Sequence, residues 1–355
     1  MKLIQLIVLT YLALISCTPS VSKTKEKLSP KEEKVIADFS YLKRKLADLP
    51  TSGRTDRRPW DGYYWPKIKG GIYARLFGVP LSPAEKLQAV FPQSQILKSA
   101  ATEPDSETAA WAGICNGVAE AAVDIDIPSE TVVYKNVEFK PYELKAIAGQ
   151  LLANGNGSYV FLGARNNGAA IPVDPSGRPI FPVVRDTNPG AFHIFLASQI
   201  GITKRPMFID TQIDDVVLAW PVFEYSAVGP ATLTASETIL AKKHNPYAAS
   251  YVKFTTTLKM SDSHQTVVSA PNTFNTKEKQ YSYILELNNE NKIIGGEWLD
   301  PLDHPDFIYG RNVDFNWKTV AGASDLEAIL SSTERKPFDP TPLLNHPDNK
   351  VPLPY

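Results

Sequence analysis

Trp111-Ala112-Gly113-Ile114-Cys115-Asn116-Gly117-Val118-Ala119-Glu120-Ala121-Ala122-Val123 is the stretch on which the reading of this chain turns. Gly113 admits a tight turn, and the run after Cys115 is small and helix-favouring, so the cysteine is predicted to open a helix. At that position the helix dipole and unpaired N–H groups favour a thiolate, which predicts a thiol pKa drawn down from about 8.5 toward neutrality. The same N–H groups can hold an oxyanion. The chain has two cysteines, and the other, Cys17, falls at the end of an export-type leader. A lone cysteine has no disulfide partner, which leaves an apolar filler or a nucleophile, and the glycine and tryptophan upstream favour the nucleophile.

Working outward, Met1-Lys2 precedes an apolar run from Leu3 to Ile15 and then Ser16-Cys17. This is a charged start, an apolar stretch of signal length and a small residue before a cleavage point. Leu14-Ile15-Ser16-Cys17 resembles a bacterial lipobox, so Cys17 is expected to carry lipid and to hold the protein outside the cytoplasm, at an outer membrane or cell surface. No later stretch has the ~18 consecutive apolar residues of a membrane span. With 37 basic against 38 acidic residues the chain has no electrostatic footprint for nucleic acid.

Thr18 to about Leu28 is small, polar and lysine-rich, as a tether would be. Ser29-Pro30-Lys31-Glu32 reads as a capping box opening an amphipathic helix over 29–50, with Val35, Phe39, Leu42, Leu46 and Leu49 on one stripe. Ser82-Pro83-Ala84-Glu85 opens another helix. A fourth starts near Pro141, with Leu144, Ile147, Ala148 and Leu151 on one face. Past Gly155 the texture turns to strands: 159–162, 191–195, 206–209, 216–220 and 251–258, then a hairpin from 281–287 into 292–298. Helices first and an antiparallel sheet after them make an α+β order.

A thiol nucleophile needs a base, and five histidines are available. His244, His264 and His346 lie in polar, turn-like surroundings. His193, in Asn188-Pro189-Gly190-Ala191-Phe192-His193-Ile194-Phe195-Leu196, is predicted inside an apolar strand, where a polar ring is hydrogen-bonded or functional. Asp210 ends the next predicted strand and can orient the ring of a neighbour. Asp186, Asp214 and Asp215 compete for that role as turn residues. His304, among Asp300, Asp303 and Asp306, offers a weak metal-cluster alternative.

Taken in order, Trp60 to Pro66, Ser82 to Lys86, Trp111 to Ala122, Asn188 to His193, Ile209-Asp210, Trp220-Pro221, Gly295 to Trp298 and His304 to Phe307 resemble the transglutaminase-elicitor family, known from oomycetes and bacteria. The resemblance spans roughly residues 59 to 310. It implies a papain-like, transglutaminase-like α+β core in which the N-terminal helical part carries the cysteine and the antiparallel sheet carries His and Asp. It implies Cys115 as nucleophile, His193 as base and Asp210 as orienting carboxylate. Glu107-Thr108-Ala109-Ala110 offers no amide side chain for an oxyanion, so only the Cys115 N–H is assigned to that task.

The implied activity is a protein-glutamine γ-glutamyl transfer through a Cys115 thioester to a lysine or other primary amine, or to water with deamidation. The chemistry requires no cofactor, and no metal ligand is assigned. The rival readings are a papain-like cysteine peptidase or amidase and an inactive surface-binding lipoprotein. The expected organisation is a lipoprotein signal peptide over 1–16, a tether over 17–28, the amphipathic helix over 29–50, a catalytic domain over 51–335 and a proline-rich tail over 336–355.

Overall fold

Short polar caps place the first helices. In the computed structural model, which describes residues 28–100, 108–153, 159–165, 172, 186–211, 216–263, 265, 274–300 and 302–346, the Ser29 hydroxyl accepts from the Glu32 N–H. The Glu32 carboxylate accepts from the Ser29 N–H in return, and Pro30 begins α1 (Pro30–Asp38). Ser82 and Glu85 form the same reciprocal box at the start of α2 (Pro83–Val90).

The helix expected over 29–50 stops at Asp38. Beyond it the Leu46 N–H donates to Asn291 O and the Ile293 N–H to Arg44 O. That extended pairing satisfies backbone groups a continued helix would have kept for itself. Ile36, Leu42 and Leu49 remain buried and dock the segment on the domain.

α3 (Cys115–Asp124) and α4 (Pro141–Ala153) are separated by the hairpin of β2 (Thr131–Tyr134) and β3 (Val137–Phe139). The two helices cross at glycines: a Cβ on Gly117 would lie 2.0 Å from Gly149 O. α4 buries nearly every residue rather than one apolar face. Its polar members are therefore paired, as Lys86 Nζ shows by donating to both Glu143 carboxylate oxygens at 2.7 Å.

Antiparallel strands follow: β4 (Tyr159–Gly163), β5 (Met207–Ile209), β6 (Trp220–Ala231), β7 (Ser250–Ser261), β8 (Thr276–Leu287), β9 (Ile293–Trp298) and β10 (Phe307–Arg311). Their order is β4-β10-β5-β6-β7-β8-β9, with β1 (Ser52–Arg54) added on β6. The β8–β9 hairpin lies where the sequence places it. The strand expected at 216–220 instead begins at Trp220 and runs to Ala231.

The strand expected at 191–195 is a helix, α5 (Pro189–Leu196), continued by a π-helical turn over Ala197–Ile202. α6 (Ala235–His244), α7 (Ala323–Leu330) and the short α8 (Thr341–Leu344) complete the helices introduced here, and β11 (Arg335–Lys336) pairs with β2. Part of the expected tail is thus structured.

Alternation along the strands assigns the two sheet faces. Met207, Ile209, Val222 and Ile308 share a core with Phe192, Ile194 and Phe195 of α5. Phe208, Phe307, Tyr309 and Ala219 pack on Ala119 of α3. α3 is pinned on that face by a buried charge pair, in which the Arg311 guanidinium donates through Nε to the Glu120 carboxylate at 2.8 Å. The start of α3 belongs to a third cluster, shared with α2, α4 and α7.

Candidate active site

The turn that delivers the cysteine is built against an aromatic segment. A Cβ on Gly113 would lie 2.3 Å from Tyr64 O, so the approach requires glycine. The Ile114 N–H donates to Tyr64 O at 2.8 Å and the Lys67 N–H to Ala112 O at 2.9 Å. Ile114 caps α3 with no side-chain hydrogen bond. The first amides of the helix are accordingly left for the sulphur: the N–H groups of Asn116 and of Cys115 itself act on it, joined by the Ala219 N–H from just before β6. The Ala219 carbonyl in turn accepts from the Ser263 hydroxyl.

Asp210 completes this side of the site. It follows β5, is buried, donates its N–H to Phe307 O at 3.0 Å and accepts from the Leu218 N–H at 3.3 Å. Its charge bears on the Cys115 sulphur.

The helix-start amides do not give the low thiol pKa expected from sequence. Burial pushes the Cys115 thiol up to about 11, and the Asp210 carboxylate adds to the rise against the pull of the three N–H groups. At neutral pH the resting sulphur is therefore a thiol. A thiolate forms when a base takes the proton or a substrate opens the site.

His193 is not in a strand and does not meet Cys115. Asn188 caps α5 by accepting from the Gly190 N–H at 2.8 Å, and Pro189 takes the first helical position. The His193 Nδ1 shares a hydrogen bond with the Tyr283 hydroxyl at 2.8 Å, and the ring packs 4.8 Å from that of Phe254. Tyr283 and Phe254 belong to the α5 face of the sheet, whereas Phe208 and Ala219, on the opposite face, pack with α3. The sheet thus stands between the predicted base and the predicted nucleophile. Burial draws the His193 pKa down to about 4, so the ring is neutral.

The other histidines fall as follows. His304 Nε2 pairs with Asp186 Oδ2 at 2.8 Å, and its ring stacks on Trp298 with centroids 5.8 Å apart. Asp186, read from sequence as a turn residue, is thus a histidine partner. No three His, Cys, Asp or Glu side chains gather as metal ligands among the described residues, which removes the cluster reading of His304. His244 lies 3.9 Å from Glu297, and His346 packs on Phe77. His264, Asp214, Asp215 and Cys17 lie outside the described residues.

Sequence reasoning missed Ala219 and Ser263, because a backbone donor leaves no mark in composition. Trp111, upstream of Cys115 in the same turn, carries the Arg165 guanidinium over its ring at 5.4 Å. Among the described residues, no helix is long and apolar enough to cross a membrane.

The transglutaminase elicitor family model matches residues 93–324, which contain Cys115, His193, Asp210 and His304. Comparison with curated protein sequences finds no match. Among solved structures, the crystal structure of the GP42 transglutaminase from Phytophthora sojae is similar, with a TM-score of 0.64 over 86% of this chain and 98% of that one, at 21% identity. At that identity the likeness establishes the fold, and the family match spans well over half of the sequence. The chain belongs to the transglutaminase elicitor family.

Proposed function

We propose that the protein is a protein-glutamine γ-glutamyltransferase with Cys115 as its nucleophile. The observation that carries this reading is a buried cysteine at the uncapped start of a helix, its thiolate favoured by neighbouring backbone N–H groups, in a chain of this family. The Cys115 sulphur attacks the side-chain amide carbon of a glutamine, and backbone N–H groups at the start of α3 stabilise the oxyanion. The C–N bond breaks, ammonia leaves with the thiol proton, and a γ-glutamyl thioester remains. A primary amine then attacks the thioester carbon, an amide forms and the thiol is regenerated. Water in place of the amine gives glutamate.

Asp210 is the acid group beside the sulphur. His193 is enclosed on the other face of the sheet, bonded to Tyr283, so the proton acceptor is not assigned to it. We further propose that the mature protein is held by lipid on Cys17, as the lipobox-like leader implies.

Ammonia release from a glutamine peptide, measured with and without a primary amine, tests the activity. The reading predicts release that requires Cys115 and amine incorporation that accompanies it. Backbone cleavage of the peptide with no incorporation would make the protein a peptidase instead.

A further inference from the structure

The segment Trp60-Asp61-Gly62-Tyr63-Tyr64-Trp65 lies between the cysteine turn and the end of β7. On one side Tyr64 O accepts from the Ile114 N–H. On the other, the Gly62 N–H donates to Asp262 O at 2.8 Å and Gly62 O accepts from the Gln265 N–H at 3.0 Å. Ser261 adds a hydroxyl bond to Pro59 O at 2.8 Å.

At the centre is the fully buried Asp61. One carboxylate oxygen accepts from the Asp262 N–H at 3.0 Å, and the other accepts from the Asn275 N–H. A single buried carboxylate thus ties together the end of β7 and the residue just before β8. Lys145 of α4 donates to the Asp61 carbonyl at 2.7 Å and holds the segment from below. Ser263, next to the tied Asp262, donates its hydroxyl to the Ala219 carbonyl, and the N–H of Ala219 acts on the Cys115 sulphur.

We propose that Asp61 is a positioning residue for the nucleophile: it anchors Asp262 and Asn275 and, through Ser263, keeps the Ala219 N–H aimed at Cys115. The proposal rests on the reading of Cys115 as nucleophile. Charge-assisted bonds from two amides to a buried carboxylate are stronger than neutral ones, which suits Asp61 to this task and makes it hard to replace. Removing the chain of contacts withdraws a donor that favours the thiolate, so the thiol should titrate at higher pH and react more slowly below that pH.

The test is the pH dependence of iodoacetamide alkylation at Cys115, read by peptide mass in the full chain, for Asp61→Asn, Ser263→Ala and the double variant. Because one donor to a charged group is withdrawn, each single change is expected to slow alkylation about tenfold at a fixed pH below the thiol's titration. The double variant should be no slower than the worse single, since both act through one chain of contacts. Unchanged alkylation in Ser263→Ala, or effects that multiply in the double variant, would overturn the proposal. Should Asp61→Asn fail to fold, the Ser263→Ala result decides alone. Alkylation needs no glutamine substrate, so these outcomes stand apart from success or failure of the transferase assay.

Discussion

At the scale of single residues the decisive quantity is the state of two buried side chains. Cys115 is held protonated, so alkylation of the native protein should rise with pH toward a midpoint near 11 rather than level off near neutrality. A plateau at pH 6 to 7, read at the Cys115 peptide, would contradict this. Cys115→Ala should abolish transfer and leave the thermal transition nearly intact.

His193 carries the opposite sign. Its folded pKa is drawn down to about 4 from 6.5, so the stability tied to its neutral ring is complete above 6.5 and is lost as pH falls through about 4. The fully buried ring makes this term of order 3 kcal/mol. Denaturant unfolding between those pH values should show a shallower decline in His193→Phe than in the parent, and equal slopes would sink the assignment.

At the scale of elements, close backbone contact positions the nucleophile's helix. A side chain on Gly117 would press on Gly149 O across the α3–α4 crossing. Gly117→Ala should therefore cost about 1–3 kcal/mol through forced separation of the helices, visible as a lowered unfolding midpoint.

The two serine capping boxes and the glycine turn before Cys115 were legible because local hydrogen bonds decide them. The helix at 189–196 was not, since five nearly continuous apolar residues, Ala191, Phe192, Ile194, Phe195 and Leu196, fit a buried strand as well as a buried helix. The missed signal was Asn188-Pro189, an N-cap followed by proline at the first helical position. The early end of α1 was hidden for another reason: the partners that draw residues 44–46 into extended pairing lie near residue 292. Asp210 was expected beside the His193 ring; that its charge bears on Cys115 instead, and which face of the sheet holds His193, depend on strand register, which no local pattern records.

At the scale of the whole molecule, one antiparallel sheet separates two kinds of interior. One face encloses α5 with a neutral histidine and a packed set of aromatics, and the other carries α3, whose first turn presents the sulphur. The proposed lipid on Cys17 bears on where this domain works. Cys17→Ser should remove lipid and shift the protein from the detergent phase to the aqueous phase, and retained detergent partition would contradict anchoring at that residue.

The most direct measurement is the mass of the Cys115 peptide after the protein is mixed with a glutamine peptide in the absence of amine and quenched in acid. The account predicts an adduct equal to the intact glutamine peptide less ammonia, located on Cys115 and discharged to an amide when a primary amine is added. An adduct of a cleaved peptide fragment, or no adduct while product still forms, would contradict it.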